Sequence, residues 1–174
     1  GEHNVGGLIG IGEEIAIRKS SSGADVSCID TSAAGFSCGD NIKGTNIGGL
    51  VGHLRGIENY YSSFGQDELP DPSSIANSYS TGDVVGREKV GGLVGLSEGI
   101  IIFTYSSGFV SGDNRVGGLI GEVKKFYGTY LTYSFSVSSV TSNDIYSGAG
   151  LVGLTNNQNG IYGGWYTDKV CLNK

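Results

Sequence analysis

The chain has 174 residues, of which 32 are glycine, two proline and none methionine, and it carries a net charge of −6. That length suits a single domain, and the acidic balance argues against nucleic-acid binding, which needs clustered Lys and Arg. No window approaches the roughly 18 apolar residues of a membrane helix, no charged-then-apolar leader opens the chain, and the lack of methionine leads us to expect a processed or excised piece of a longer protein.

The first recognisable phrase is VGGLIG at 5–10. It returns as IGGLVG at 47–52, VGGLVG at 90–95, VGGLIG at 116–121 and GAGLVG at 148–153. Its leucines, Leu8, Leu50, Leu93, Leu119 and Leu151, recur at intervals of 42, 43, 26 and 32. A fixed phrase at such intervals is the signature of a repeat architecture. The units run about 5–46, 47–89, 90–115, 116–147 and 148–174, with a basic length near 26 residues.

The long first unit holds CIDTSAAGFSC at 28–38, inside an insertion expected at about 24–45. Cys28 and Cys38 enclose nine residues, a comfortable loop for a disulfide. Free thiols and a metal site are the alternatives, although zinc needs four ligands and only His3 and His53 could add to the cysteines. Cys171 is the odd one, either free or paired outside this stretch of chain.

The second unit carries SSFGQDELPDPSS at 62–74, which contains both prolines. Asp67, Glu68 and Asp71 there could bind calcium, a hard cation that takes oxygen ligands, or could form a solvated acidic loop. A second phrase then follows: NSYSTGDVVG at 77–86, FTYSSGFVSG at 103–112 and LTYSFSVSSV at 131–140. Its tyrosines are Tyr79, Tyr105 and Tyr133. Gly, Ser, Thr, Tyr and Val dominate, which disfavours helix. LTYSFSV alternates, with Leu131, Tyr133, Phe135 and Val137 expected on one face and Thr132, Ser134 and Ser136 on the other.

Units that cannot bury their own apolar face stack on their neighbours. The expected fold is therefore all-β, a parallel β-helix (β-solenoid) of about five to six coils with loop insertions in the first two units. Leu50, Leu93, Leu119 and Leu151 should line one interior column, and Tyr79, Tyr105 and Tyr133 another. The paired glycines Gly48–Gly49, Gly91–Gly92 and Gly117–Gly118 should let the backbone turn and approach a neighbour closely. Two hydroxyl columns, Ser78–Thr104–Thr132 and Ser80–Ser106–Ser134, are expected to face solvent, where a flat ladder could order water as ice-binding solenoids do.

The alternation of GGLVG with NSYSTGDVVG resembles the GLUG-motif repeats of bacterial surface proteins, including adhesin-like proteins and the non-catalytic parts of IgA-specific metallopeptidases. The resemblance covers nearly the whole chain and is clearest at 75–121. The departures are the two long insertions and the last unit, where GGWYTDKVC replaces the tyrosine phrase. The resemblance implies a stalk or display scaffold and supplies no catalytic residues.

The chain's own chemistry points the same way. His3 and His53 lie 50 residues apart without an H-E-x-x-H motif, and no G-x-S-x-G elbow occurs. A nucleotide loop would need a Lys-Ser or Lys-Thr after the glycines. Glycosidase or lyase chemistry would need paired carboxylates, and Glu13, Glu14, Asp83 and Asp113 are scattered, the last two reading as turn formers. The expectation is a non-catalytic extracellular or cell-surface protein without cofactor. Its partners would be a host or cell-surface protein or glycan, and its ends could associate head to tail, the last unit offering Trp165 and Tyr166. A carbohydrate-active or carbohydrate-binding β-helix is the alternative.

Overall fold

The computed structural model describes residues 2–28, 44–56, 72–124, 129–144 and 148–155, and the strand backbone of 161–162 and 165–166. The chain is an all-β parallel solenoid of five stacked sheets. Sheet A contains His3–Gly6, Thr45–Gly48, Glu88–Gly91, Asn114–Gly117 and Gly148–Ala149. Sheet B contains Ile9–Glu13, Val51–Arg55, Val94–Ser97, Ile120–Val123 and Val152–Thr155. Sheet C contains Ala16–Arg18, Ser74–Ala76, Ile100–Ile102, Tyr130–Thr132 and Ile161–Tyr162. Sheet D contains Ser21–Ser22, Tyr79–Ser80, Tyr105–Ser106, Phe135–Ser136 and Trp165–Tyr166. Sheet E contains Val26–Ser27, Val84–Val85, Phe109–Gly112 and Ser139–Ser142. Each pass through A, B, C, D and E is one coil, and the coils stack in register: Val5, Ile47, Val90, Val116 and Gly148 lie one above another.

The repeated glycine phrase is the corner from A to B. The ladder does not stop there. The Leu93 carbonyl accepts the N–H of Leu50 at 2.9 Å and of Val51 at 3.0 Å, and the Leu119 carbonyl does the same for Leu93 and Val94. This corner points into the solenoid. A Cβ on Gly92 would overlap the Gly118 carbonyl oxygen and meet Ser106 Cβ at 2.9 Å, and one on Gly49 would overlap the Gly92 carbonyl oxygen and the Ser80 hydroxyl. Gly48, Gly91 and Gly117 are equally closed, against the carbonyl oxygens of Val51, Val94 and Ile120. None of these glycines has a positive φ, so close approach, not an unusual dihedral, is what excludes a side chain.

The inward corner divides the interior into two lobes. One is filled by Leu50, Leu93, Leu119 and Leu151 with Val51, Val94, Ile120, Leu54, Ile75, Ile101 and Leu131. The other is filled by Val26, Val84, Val110 and Val140 of sheet E against Ile47, Val90 and Val116 of sheet A. Leu8 holds the same place in the phrase but is 51% exposed, because among the described residues no coil is stacked beneath it.

The second phrase departs from expectation in three ways. Tyr79 and Tyr133 are exposed and Tyr105 half-buried, so the tyrosines do not form an interior column. Tyr133 is also out of register: Tyr105 pairs with Tyr79 below and Phe135 above. Five of the six hydroxyls expected outside are inside, in the buried columns Ser78–Thr104–Ser134 and Ser80–Ser106–Ser136, while Thr132 is half-buried and pairs with Ile102 instead. The cause is a corner at Lys19, Asn77, Phe103 and Tyr133, each with φ between 47° and 52°. It breaks LTYSFSV after Thr132 and inverts the alternation, so that Leu131, Ser134 and Ser136 point inward while Tyr133, Phe135 and Val137 point outward. The narrow space beside the glycine corner admits serine and no ring. Ser106 donates to the Gly118 carbonyl at 2.6 Å and lies 3.2 Å from Ser136 Oγ, and Thr104 donates to Ser134 Oγ at 3.0 Å.

The insertions are also shifted. Val26 and Ser27 pair with Val84 and Val85 in sheet E, so the first insertion begins after them. Ser74 pairs with Ile100 in sheet C, so the second ends before it. Length varies at two corners, E to A and B to C. The first is 28–44 in the first coil against 86–87 in the second; the other is 56–73 in the second coil against 98–99 in the third.

Gly92→Ala should destabilise the chain by about 1–3 kcal/mol or more through overpacking, and Leu93→Ala by about 2–5 kcal/mol through a cavity. Gly23→Ala, whose Cβ would meet only Thr81 Oγ1 at 3.5 Å, should be nearly neutral. Urea unfolding of the three variants checks the ranking; a neutral Gly92→Ala would rule out the close corner.

Candidate functional site

Buried ionisable groups are built by stacking across coils. Glu98 lies at the B-to-C corner of the third coil. Its Oε2 accepts the Gly56 N–H at 3.2 Å and lies 3.3 Å from His53 Nε2, and Lys124 Nζ stands 3.5 Å from its Oε1. His53, Glu98 and Lys124 come from the second, third and fourth coils. Burial of Glu98 pushes its pKa up, but the His53 imidazole, the Gly56 N–H and the Lys124 charge together hold it below the usual carboxylate value. The carboxylate ties down Gly56, the last described residue before the second insertion, while its backbone carbonyl accepts the Thr129 hydroxyl at 2.9 Å. Both contacts secure the corner where length varies.

A second network lies on sheets A and B. Arg115 Nη1 reaches Glu88 Oε1 at 2.9 Å and buried Glu122 Oε2 at 3.0 Å, with Lys89 Nζ 3.9 Å from each carboxylate. Four other described carboxylates serve as links between coils. Asp25 accepts the Asp83 N–H at 2.9 Å and Asp83 the Phe109 N–H at 2.8 Å. Asp113 pairs with Arg87 at 3.0 Å, and exposed Glu13 with Arg55 at 3.1 Å. Asp25, Asp83, Phe109 and Ser111 border a hollow of about 330 Å³ on the outside of sheet E. Exposed Glu14 has no positional partner for acid–base work, and His3 touches Thr45 Oγ1 at 2.6 Å. Among the described residues no three His, Cys, Asp or Glu side chains converge, and no helix is long and apolar enough to cross a membrane.

Cys28 is buried and disulfide-bonded. Cys38 and Cys171 lie outside the described residues, as do Asp67, Glu68 and Asp71 of the calcium reading, and of Trp165 and Tyr166 only the backbone is described. The glycines and leucines of the repeated phrase occupy the interior corner and are structural. Tyr79, Tyr105 and Tyr133 lie on the outer wall of sheet D and its corner. That wall, and the Glu98 cluster, are what sequence reasoning missed. For the wall, the usable signal was Asn77, a residue suited to left-handed backbone, placed just before the Ser-Tyr of the second phrase.

Comparison with protein-family models, with curated proteins and with solved structures finds no match.

Two outcomes are expected. Because the folded pKa of Glu98 lies below its unfolded value, its contribution to stability is present above about pH 4.5 and is lost as pH falls through the folded value. Glu98→Gln should therefore cost about 1–3 kcal/mol at pH 7, and the gap to the parent should narrow below pH 4.5 in urea titrations; a gap that widens in acid would refute the ionised, held carboxylate. Peptide mapping without reductant should join the Cys28 and Cys38 peptides, and a link from Cys28 to Cys171 would overturn that pairing.

Proposed function

We propose that the chain is a non-catalytic structural or adhesive β-solenoid of an extracellular or cell-surface protein. It works by presentation: a stiff stack of coils holds variable segments toward a host or cell-surface protein or glycan. The observation that carries this reading is the confinement of length variation to two corners of an otherwise in-register stack. A repeat scaffold accepts insertions where a corner faces outward and rejects them where coils must nest. The E-to-A and B-to-C corners have changed length, whereas the inward A-to-B corner keeps its Gly-Gly-Leu or Ala-Gly-Leu form in every coil. Three further features support the reading. The disulfide at Cys28 suits an oxidising compartment. Asp25, Asp83, Asp113, Glu13, Glu88 and Glu98 are engaged between coils, and among the described residues no three His, Cys, Asp or Glu side chains converge. The GLUG-type alternation of the sequence is what a display stalk would carry. The buried hydroxyl columns remove the flat outer ladder on which an ice-binding reading depended.

The test is an array of extracellular-matrix proteins and glycans, scored for retention and for product release. Retention without turnover is expected. Replacing 29–43 or 57–71 by a two-residue link should abolish retention with little change in thermal unfolding. Turnover of any glycan would overturn the non-catalytic reading, and retention unchanged by both replacements would overturn display by those segments.

A further inference from the structure

Six exposed large apolar side chains share one wall: Tyr79, Phe103, Phe109, Tyr133, Phe135 and Val137. They lie on the outer side of sheet D, at the corners beside it and, for Phe109, at the start of sheet E, in three consecutive coils. The rings are ordered. Tyr79 stacks on Tyr105 at 4.8 Å, Tyr105 on Phe135 at 5.2 Å, and Phe103 on Tyr133 at 5.1 Å. Residues 99–112 and 129–143 contain no charged side chain, in a chain of net charge −6. An exposed apolar patch of this kind marks an interaction surface.

Folding alone does not account for the rings. Phe103 and Tyr133 have φ of 52° and 47°, a left-handed conformation that suits Asn and disfavours bulky side chains. The same corner is Lys19 in the first coil and Asn77 in the second. The two rings are 51% and 63% exposed, so burial in the chain does not repay the strain. Backbone strain kept at an exposed position is a pointer to function.

We propose that this wall is a self-pairing surface, on which a second copy of the chain lays its own Tyr79–Phe135 wall to form a lateral pair of solenoids. Charge selects the occupant: two acidic chains meet here without opposing carboxylates, Asp83 lying at the margin. Spacing supports it, because two identical ladders share the same repeat and their side chains can interdigitate coil by coil. Ring presentation disfavours a glycan. Within each stack the facing ring surfaces cover one another, so the wall offers mainly ring edges and tyrosine hydroxyls, whereas a sugar stacks on an open face. The patch is a strip of three coils, about 10–15 Å along the axis at ~4.8 Å per coil, whereas a stable dimer buries roughly 800 Å² per partner. Pairing is accordingly weak and favoured where copies are crowded. It does not depend on what the variable segments recognise.

Sedimentation equilibrium of the 174-residue chain over about 5–500 µM tests this. The parent should move from monomer toward dimer mass as concentration rises, and at least as readily in about 1 M salt, where the repulsion between two acidic chains is screened. Phe103→Asn/Tyr133→Asn installs the residue of the second coil; it should weaken pairing at least tenfold without lowering the thermal unfolding midpoint. Tyr79→Ser/Phe135→Ser, which copies Ser21 of the first coil, should weaken it likewise and serves if the first variant does not fold. A parent that stays monomeric overturns the proposal, whether or not it binds a soluble neutral glucan. So does pairing that survives in a folded variant, which would place the contact elsewhere, as at exposed Leu8 and Ile11.

Discussion

The structure depends on backbone meeting backbone at the Gly-Gly-Leu corner. Each corner fills the space that a side chain on the corner below would occupy: the Gly92 carbonyl lies where a Gly49 Cβ would go, the Gly118 carbonyl serves Gly92 in the same way, and the Gly150 carbonyl serves Gly118. A glycine lost in one coil therefore disturbs two. This makes the stack cooperative along its axis, in the nearest-neighbour manner of repeat proteins. It also explains why the flanking residues hardly vary. With the corner pressed against sheet D, each lobe is narrow, and a Val, Ile or Leu column fills it at native packing density.

That same constraint decides which parts of the fold were legible in the sequence. The Gly-Gly-Leu phrase has one solution per coil, so its repetition revealed the solenoid, the parallel stacking and the buried leucines. The tyrosine phrase was legible as strand but not as orientation. LTYSFSV alternates as a half-buried strand would, and large apolar residues are ordinarily the inward set. Here the inward positions face the glycine corner, where only serine fits, and the left-handed residue Tyr133 resets the alternation two residues after Leu131. Polarity thus gives way to volume. The Glu98 cluster was illegible for another reason. His53, Glu98 and Lys124 belong to three coils and meet only through register, so no short motif announces them.

The two sides of the solenoid solve different problems. On sheets A and B, charged residues neutralise one another within and between coils, as Arg115 does with Glu122 of its own coil and Glu88 of the coil below. On the opposite side, across sheets C, D and E of the third and fourth coils, there is no charge to neutralise. Between these walls lie the two corners of variable length. A scaffold built this way can change its inserted segments without altering the columns that hold it together, because the segments leave and re-enter at strand ends whose own pairing is unbroken.

The left-handed positions show how far the chain departs from local preference. One column runs Asn4, Asn46, Lys89 and Arg115, and another Lys19, Asn77, Phe103 and Tyr133, all with φ near 50°. In the first column, Asn46 donates to Asn4 at 2.7 Å, and the unfavourable Lys89 and Arg115 are engaged by Glu88 and Glu122. The compensation is visible within the chain. In the second column, Phe103 and Tyr133 gain one ring stack, worth about 0.5–1.5 kcal/mol, and leave half or more of their surface in water. Two left-handed aromatic residues cost of order 1–3 kcal/mol each, so the stack offsets part of the strain and the remainder has no counterpart inside the coil. The same backbone corner is thus balanced on the charged wall and unbalanced on the aromatic one, which locates the unmet interaction of this molecule on its uncharged side.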